Sequence, residues 1–504
     1  MRKILINSFI YGLFVVCLSS CYKDLGNYTY HDINEISFTG IDTINGYTML
    51  LGDSLKVSPS LVMTKDNSPS SDNYSYEWSF HLTRSPGVTY DSIISTDKNL
   101  KTKIMFTPGN YYLQYKVTDK KTGVPFHVRT NVLVSTPIYE GYMVLNNVNG
   151  RSRLDMLSYN KTANVFTQYT DVLARVGSKV PMESEPYQVL CMYYTRTRFV
   201  SVKYYGIFLL TASGTNRVNE ETFGYDPSYN IRNLMVGDVP ANFGAQYLTG
   251  EITNGMSPLF YMYSNGHIYC YTAVNGSAFK YLPLNIYPAS SIPFNVSPYV
   301  ATDGNRAVLY NTDKRNFVTA ADYNSVSVTD VPAGLNYPAG LDLIYMERNY
   351  SSNTYAILKN PSTSKYYLLR FVIGQEQNYY QEITGTDFAN ASHYTISPDL
   401  GYLFYSVGGK LYEYDLSLKI SKLMFDKGQE QITFLAFQQF FNRTGIYSNW
   451  AKLLTVGSYN PSGTVGSNGT LELYSVPPVN GQIVQTNKWA GLGKVVSVSY
   501  RERY

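Results

Sequence analysis

The chain has 504 residues, of which 44% are hydrophobic and 15% charged, and its mean hydropathy is −0.20. This composition excludes a disordered chain, which needs high charge and few apolar residues, and a multi-span membrane protein. The formal net charge of +4 falls to about +2 once Arg2 and Lys3 leave with the leader described below, so nucleic acid is not the expected partner. The 50 tyrosines favour β-structure, because tyrosine suits half-buried pleated surfaces.

Residues 1–20 have the pattern of a secretory signal peptide: a basic start, an apolar run from Ile4 to Leu18 and small residues before Cys21. The run is shorter than the ~20 residues that a spanning helix needs. The tetrad LSSC, ending at Cys21, resembles the bacterial lipobox, which implies that Cys21 is acylated and begins the mature chain, with a linker over residues 21–32. The alternative is an uncleaved anchor with a chance cysteine. Tyr22, where an inner-membrane retention signal has aspartate, implies the outer membrane, and Lys23-Asp24 resembles a short surface-export signal.

Four cysteines are present, but Cys17 lies in the leader and Cys21 is the predicted acylation site. Cys191 and Cys270 therefore remain for the folded part. They could form one disulfide in an oxidising compartment. We favour the alternative, in which both are free thiols buried on strands, because free cysteine is among the most buried residue types.

Residues 33–137 alternate in a strand-like pattern, with turn residues between six or seven short runs, and this spacing predicts a β-sandwich. Tyr76-Glu77-Trp78, the Pro108-Gly109 turn leading into the run Tyr112–Asp119, and a closing strand over Val128–Val134 resemble a PKD-type immunoglobulin-like domain. The resemblance implies that Trp78 fills the core between the two sheets. The Gly-Asp-Gly turn of that family is missing after Trp78, so the domain is similar to a divergent member.

Residues 138–504 repeat a turn followed by a strand of alternating apolar residues, which is typical of a β-propeller. Seven repeats of this kind predict seven blades, and the stretch from His393 to Phe425 shows four strand-like runs, as one blade should. Irregular intervals leave open the alternative of two sandwiches. Ser397-Pro398-Asp399 resembles a structural turn of known propellers, in which the aspartate binds backbone amides. The points that we take as equivalent are Leu154, Ile207, Ile268, Val308, Leu368, Leu411 and Leu471.

Catalytic motifs are not found. The five histidines are scattered along the chain, so no zinc site is expected, and no nucleophile elbow, Walker loop or EF-hand loop occurs. We expect no cofactor and no enzymatic activity. Propeller glycosidases use carboxylates near the central axis, and Asp303, Asp313 or Asp399 could serve in principle.

Aromatic residues in Asn- and Ser-rich stretches could stack on a sugar or a peptide side chain if their rings are exposed. The alternative is that they line strand faces and contacts between blades, and the sequence names no ligand-binding residue. The residues concerned are Tyr350, Tyr355, Tyr379, Tyr380, Tyr447 and Trp450.

Taken together, the lipobox, the PKD-like domain and the tyrosine-rich propeller resemble PKD-like family lipoproteins of Bacteroidota. The resemblance implies a non-enzymatic accessory subunit on the outer-membrane surface that docks on a SusC/SusD-type TonB-dependent transporter. It further implies that the protein binds a nutrient, and of the two candidate ligand classes an oligopeptide is favoured over a glycan. The alternatives are a structural or adhesive surface protein and a propeller hydrolase that acts on glycan or peptide.

Three short motifs in the first domain resemble the Bacteroidota O-glycosylation signal of Asp, Ser or Thr, and an apolar residue. They begin at Asp42, Asp53 and Asp91. A chance occurrence of so loose a tripeptide is the alternative.

Overall fold

The computed structural model describes residues 33–50, 53–66, 70–85, 88–104, 106, 108–194, 204–251, 259–271, 279–322 and 325–503. The predicted signal peptide, the acylation site Cys21 and the linker over residues 21–32 lie outside these residues. The chain divides into two units, one ending at Ser135 and the other beginning at Thr136.

The first unit is a β-sandwich. Its larger sheet has five strands in the order β2-β9-β8-β5-β6, where only the β2–β9 pair is parallel. Two small antiparallel sheets, β1-β4 and β3-β7, supply the other layer. The strands are β1 (Ile36–Thr39), β2 (Tyr47–Leu50), β3 (Ser54–Val57), β4 (Ser60–Met63), β5 (Tyr74–Ser85), β6 (Val88–Ser95), β7 (Leu100–Lys103), β8 (Gly109–Asp119) and β9 (Pro125–Ser135).

The sandwich core forms around Trp78, as the sequence predicts. Trp78 is fully buried and stacks on Tyr115 with ring centroids 4.2 Å apart, and its Nε1 donates to the carbonyl of Asp97 at 3.1 Å. In place of the family's turn after Trp78, β5 continues to Ser85 and forms a hairpin with β6. The longer hairpin accounts for the absent Gly-Asp-Gly turn.

The second unit is a β-propeller. Within the described residues, seven antiparallel sheets of three or four strands follow one another along the chain, and we call them blades 1 to 7. From the inside outward, blade 1 consists of β37 (Lys494–Arg501), β10 (Gly141–Val148), β11 (Arg151–Asn160) and β12 (Val165–Tyr169), and blade 2 of β13 (Pro186–Tyr194), β14 (Tyr204–Thr211) and β15 (Gly214–Val218). In the same order, blade 3 consists of β17 (Tyr247–Glu251), β18 (Leu259–Ser264) and β19 (His267–Tyr271), and blade 4 of β21 (Ala301–Thr302), β22 (Ala307–Asn311), β23 (Asn316–Ala320) and β24 (Thr329–Asp330).

Blades 5 to 7 each have four strands, and a two-stranded parallel sheet, β16-β20, accompanies blade 3. The remaining strands are β16 (Met235–Val236), β20 (Phe279–Lys280), β25 (Asp342–Arg348), β26 (Thr354–Lys359), β27 (Tyr366–Phe371), β28 (Tyr379–Glu382), β29 (His393–Ile396), β30 (Tyr402–Val407), β31 (Lys410–Asp415), β32 (Ile420–Asp426), β33 (Gln431–Phe437), β34 (Leu453–Tyr459), β35 (Gly469–Ser475) and β36 (Val484–Leu492).

The last strand closes the ring. β37 pairs with β10, so blade 1 combines the beginning and the end of this unit. Across the seam, the side chains of β37 contact the first strand of blade 2: Ser497 Oγ accepts from the amide of Val189 at 3.2 Å, and Ser499 Oγ accepts from the amide of Cys191 at 2.9 Å. These bonds occupy amide groups at the edge of β13 that has no partner strand in the sheet of blade 2.

Similar side-chain bonds join other inner strands. Gln188 of blade 2 donates to the carbonyl of Leu248 in blade 3 and accepts from its amide, at 3.0 and 2.7 Å. Thr433 of blade 7 donates to the carbonyl of Val495 at 2.6 Å. Side-chain hydrogen bonds therefore join the inner strands of these blades to a neighbouring blade. These bonds are not the backbone pairing of adjacent strands in a sheet.

Helical structure is sparse among the described residues, and none of the helices there has the length and apolar character needed to cross a bilayer. The α-helices are α1 (Val172–Arg175) and α2 (Ile446–Trp450), and the 3-10 turns are Ser71–Asn73, Pro227–Tyr229, Ile231–Leu234, Ala333–Leu335 and Phe388–Asn390.

The sequence prediction of a sandwich followed by a seven-bladed propeller is confirmed. Blade 6 spans β29 to β32 and coincides with the stretch predicted as a single blade. Five of the seven points taken as equivalent lie on the third strand of a blade, but Ile207 and Val308 lie on the second strand. This shift by one strand explains part of the irregular spacing.

Candidate functional site

Four tyrosines from consecutive blades meet along the inner strands. Tyr247 lies on β17, Tyr299 precedes β21, Tyr345 lies on β25 and Tyr394 on β29. The ring centroids of successive members are 6.1, 5.2 and 5.7 Å apart, with interplanar angles of 69°, 70° and 35°. We call this set the tyrosine arc. Tyr345 touches a ring of the preceding blade and a ring of the following blade, which places it on the axial side of its own blade.

Glu347 lies beside the tyrosine arc. It follows Tyr345 by two residues on β25, so the alternation of a strand brings both side chains to the same face, while Met346 between them packs into the core. The Oε2 atom of Glu347 accepts three hydrogen bonds: from the hydroxyl of Tyr345 at 2.7 Å, from the hydroxyl of Thr395 at 3.1 Å and from the amide of Ile396 at 3.2 Å. The carboxyl group thereby links blades 5 and 6.

The second carboxyl oxygen is much less engaged. Among the described residues, Oε1 of Glu347 receives only a long contact of 3.5 Å from the Thr395 hydroxyl. Within the described part of the chain, every hydrogen-bond donor to this carboxyl group is neutral, and the carboxyl group has no ion-pair partner. Glu347 and the four tyrosines are all half-buried, so solvent reaches a site that lies at the inner edges of the blades.

The partial burial of these side chains determines their pKa values. Burial raises the pKa of Glu347 to about 7, against the hydrogen bonds from Tyr345, Ile396 and Thr395, which lower it. Burial also raises the pKa of each hydroxyl of the tyrosine arc, so all four are neutral at physiological pH. The site offers neutral donors, aromatic rings and one carboxyl group that ionises near neutrality. Strongly shifted pKa values occur often at functional sites.

The candidate acids from the sequence do not gather at this site. Asp303 and Asp313 stand in turns, where Asp303 accepts from the amide of Arg306 at 2.7 Å and Asp313 accepts from the amide of Asn295 at 2.8 Å. Asp399 forms an exposed ion pair with Lys452 at 2.7 Å.

The turn that begins at Ser397 is stabilised differently from the expectation. The Ser397 hydroxyl, rather than the Asp399 carboxylate, accepts the backbone bond, from the amide of Tyr402 at 2.9 Å. A neighbouring cavity of about 220 Å³ has mainly apolar walls, including Leu400 and Phe437, and its charged residues are Asp399 and Lys452. These two charges neutralise each other, so this cavity offers fewer free polar groups than the tyrosine arc.

The aromatic residues considered in the sequence serve packing. Tyr355 and Tyr447 are buried in core clusters, and Trp450 packs against Tyr500 with centroids 5.5 Å apart. Tyr379 donates to the carbonyl of Leu416 at 2.8 Å.

The remaining two aromatic candidates also contact the protein itself. Tyr380 stacks on Tyr367 with centroids 5.3 Å apart, and Tyr350 lies under the Arg443 guanidinium, 4.5 Å from its ring centroid. The interpretation of these six residues as structural contacts therefore agrees with their positions.

The cysteines and the sugar-acceptor motifs are also placed. Cys191 is buried on β13 and Cys270 half-buried on β19, and both are free thiols, which agrees with the favoured interpretation. Of the three candidate O-glycosylation hydroxyls, those of Thr43 and Ser54 belong to exposed residues, whereas Ser92 is half-buried on β6.

The sequence did not reveal Glu347 or the tyrosine arc. The only sequence signal of the arc is a tyrosine on or next to the inner strand of each of blades 3 to 6. These tyrosines cannot be distinguished in the sequence from the many other strand tyrosines. The described residues contain no group of three or more histidine, cysteine, aspartate or glutamate side chains that could hold a metal ion.

Comparison with known proteins gives one family match and several likenesses in fold. No curated protein matches the chain. The solved structures that resemble it include a quinonprotein alcohol dehydrogenase-like protein from Bacteroides thetaiotaomicron, with 13% identity, a TM-score of 0.42 and coverage of 94% of this chain and 100% of that one. The extracellular domain of a one-component system from the same species matches with 14% identity and a TM-score of 0.34 over 63% of this chain and 39% of that one.

A protein of unknown function from Bacteroides caccae matches with 9% identity and a TM-score of 0.31 over 72% of this chain and 99% of that one. All three TM-scores lie below 0.5, so the propeller is established by its own seven sheets and closing strand. The model of the PKD-like family matches residues 21–185. These residues include the described sandwich and the strands β10, β11 and β12 of blade 1, and over this part the chain is PKD-like.

Proposed function

We propose that the protein is a surface lipoprotein, acylated at Cys21 and anchored in the outer membrane, whose propeller binds a nutrient without converting it. The observation that carries the binding role is the tyrosine arc with Glu347, where aromatic rings, neutral hydroxyls and one incompletely bonded carboxyl group are accessible to solvent. Binding sites typically combine an apolar lining with a few polar groups of this kind.

The carboxyl inventory favours binding over hydrolysis. Glycoside hydrolysis uses two carboxylates about 5–10 Å apart, one as acid and one as base or nucleophile. Glu347 has a raised pKa that would suit an acid, but among the side chains that the structure describes no second carboxylate contributes to that pKa. A hydrolase, which would need a second acid at that distance, remains the alternative.

The lipid anchor and the transporter partner rest on sequence resemblance. The lipobox over residues 18–21 supports acylation, and the PKD-like match begins at Cys21, the predicted first residue of the mature chain. Two or three acyl chains would hold the protein stably at a membrane, which one chain would not. The resemblance to lipoproteins of SusC/SusD-type uptake systems supports docking on such a transporter, with an oligopeptide or glycan as the nutrient.

A pull-down in mild detergent tests the partner. The tagged protein is purified from its native outer membrane, and the co-purifying proteins are identified by mass spectrometry. We expect a large TonB-dependent barrel with its SusD-type lid. Recovery of the protein alone, with and without crosslinking, would reject the accessory role and favour a structural or adhesive surface protein.

Acylation is tested with two matched cysteine variants. Cys21→Ala is expected to abolish incorporation of labelled palmitate and to release the protein from the membrane fraction, because the acceptor thiol is lost. Cys17→Ala, four residues earlier in the leader, is expected to preserve both. Equal labelling of the two variants would reject Cys21 as the anchor.

A further inference from the structure

The carboxyl group of Glu347 lacks a counter-ion at a place where a ligand could supply one. Its contacts are the neutral hydroxyls of Tyr345 and Thr395 and the amide of Ile396. Some other enclosed acids of the propeller are paired: Glu472 contacts Lys427 and Lys488, and Glu140 contacts Lys161 at 2.9 Å. Enclosed carboxylates are normally paired with a cation, and within the described chain Glu347 has no such partner.

The surroundings of Glu347 suit a cation in a second respect. The tyrosine arc places aromatic rings from four blades along the site, and the π-face of such a ring carries negative potential that attracts ammonium and guanidinium groups. Oε1 of Glu347 can accept a further hydrogen bond, because among the described residues its only contact is the long one from Thr395. A carboxylate and aromatic rings together form the usual environment of a bound organic cation.

We propose that Glu347 and the tyrosine arc form a binding site for a cationic side chain, the ammonium of lysine or the guanidinium of arginine, presented by a peptide. The proposal deepens the binding role above and rests on it, by selecting a basic oligopeptide as the ligand. The ligand cation ion-pairs with Oε1 of Glu347, and its alkyl chain lies against the rings.

The titratable groups around Glu347 set the expected pH dependence. Tyr345 on its own strand, Tyr247 on β17 and Tyr355 on β26 all have raised pKa values and stay neutral. His393 on β29 has its pKa lowered to about 4 by burial and by Lys494, so it is neutral as well. Arg348 follows on β25, where strand alternation directs its side chain to the opposite face. Glu347 is therefore the group that ionises near pH 7.

The test measures binding of two peptides that differ by one charge. The full mature chain in detergent is titrated with acetyl-Gly-Lys-Gly-amide and with its norleucine counterpart by calorimetry at pH 6, 7 and 8. We expect the lysine peptide to bind at least about tenfold more tightly at pH 8, since a charge-assisted bond is among the stronger contacts. Its affinity rises with pH as Glu347 ionises, whereas that of the norleucine peptide stays level.

Three variants test whether Glu347 causes the preference for the lysine peptide. Glu347→Gln should weaken the lysine peptide by about tenfold and remove its pH dependence. Glu413→Gln, a buried acid on β31 whose pKa burial also raises to about 7, is the matched control and should leave binding unchanged. Tyr299→Phe keeps the ring face and should change the affinity for the cation less than twofold, about the scatter of such a measurement.

Several outcomes would overturn the proposal. Equal affinities for the two peptides would reject an ion pair between the ligand cation and Glu347. A pH dependence of binding that persists in Glu347→Gln would reject it as well. Binding of maltotetraose with no binding of the lysine peptide would identify a neutral sugar site instead. If Glu347→Gln fails to fold, the comparison of the two peptides on the unaltered chain decides. Failure here with a transporter recovered in the pull-down rejects only the cation site, and the reverse result rejects only the docking.

Discussion

The hydroxyl of Ser499 accepts a hydrogen bond from the backbone amide of Cys191 at 2.9 Å and so joins the last strand of the propeller to the first strand of blade 2. Both residues are buried. Removing the hydroxyl leaves a buried amide without its acceptor, which is more damaging than the loss of a solvent-exposed bond.

We therefore predict that Ser499→Ala lowers the free energy of unfolding by about 1–3 kcal/mol. Ser462→Ala, in an exposed turn, is the control and should change it by less than about 0.5 kcal/mol. Chemical denaturation followed by tryptophan fluorescence measures both. Equal stabilities of the two variants would show that the seam does not depend on this bond.

In the sandwich, we predict a substitution that leaves the stability unchanged or raises it. Tyr115 is buried against Trp78, but its hydroxyl has no hydrogen-bond partner among the described residues. Tyr115→Phe removes this unpaired polar group and keeps the ring, so we expect stability to stay level or to rise by up to about 1 kcal/mol. Tyr115→Ala should lower it by about 3–5 kcal/mol through the cavity that it creates. Tyr112→Ala, on the same strand with 56% of its surface exposed, should be nearly neutral.

Glu413 gives the propeller a pH-dependent stability. Only 1% of its surface is exposed, it pairs opposite Phe404 in the strand ladder, and neither carboxyl oxygen has a hydrogen-bond partner among the described residues. Burial raises its pKa to about 7, with a smaller lowering effect from Lys422 and a raising effect from Asp415. Because the folded pKa exceeds the unfolded one, the stabilisation is complete below the unfolded pKa and is lost as the pH rises through about 7.

Glu413→Gln should therefore make the protein more stable at pH 8, by on the order of 3 kcal/mol, and flatten the decline in stability between pH 5 and pH 8. Thermal unfolding across this range measures the effect. Glu347 also has a raised pKa and leaves a residual slope in this variant. A variant that loses stability equally at every pH would contradict the assignment.

The two free thiols should be unreactive in the folded protein. Burial raises the pKa of Cys191 to about 12 and that of Cys270 to about 12, so the thiolate that reacts with alkylating agents is scarce at pH 8. We expect iodoacetamide to label neither residue in the native protein and both after unfolding, as read by mass spectrometry. Rapid labelling of native Cys191 would contradict its burial.

The sequence predicts the architecture better than the site, for reasons visible in particular residues. Trp78 and the strand that carries Tyr115 identify the sandwich, because a buried tryptophan followed by an alternating strand is a local pattern. Blade 6 is equally readable, since four strands with clear turns lie within one short stretch. The shift at Ile207 and Val308 arises because second and third strands of a blade are both buried and show the same alternation.

The tyrosine arc could not be predicted, because its members lie on or just before the inner strands of four separate blades and meet only in the ring. Glu347 has no motif around it, and its distinctive property, a carboxyl group held by neutral donors, exists only in three dimensions. The Asn- and Ser-rich stretches raised the possibility of exposed rings, but the structural interpretation of their aromatic residues agrees with the positions of these residues. They contain polar turns, but the rings of Tyr447 and Trp450 within them point into the core.

Closure by β37 also bears on how the molecule is made. Arg501 pairs with Gly141, so blade 1 is complete only after β37, which follows all the other described strands of the propeller, has been synthesised. Contacts this distant in sequence slow folding. Until they form, β10 presents an unpaired edge to which a β37 strand from another molecule could add. A chain clipped before Lys494 would keep that edge of β10 unpaired.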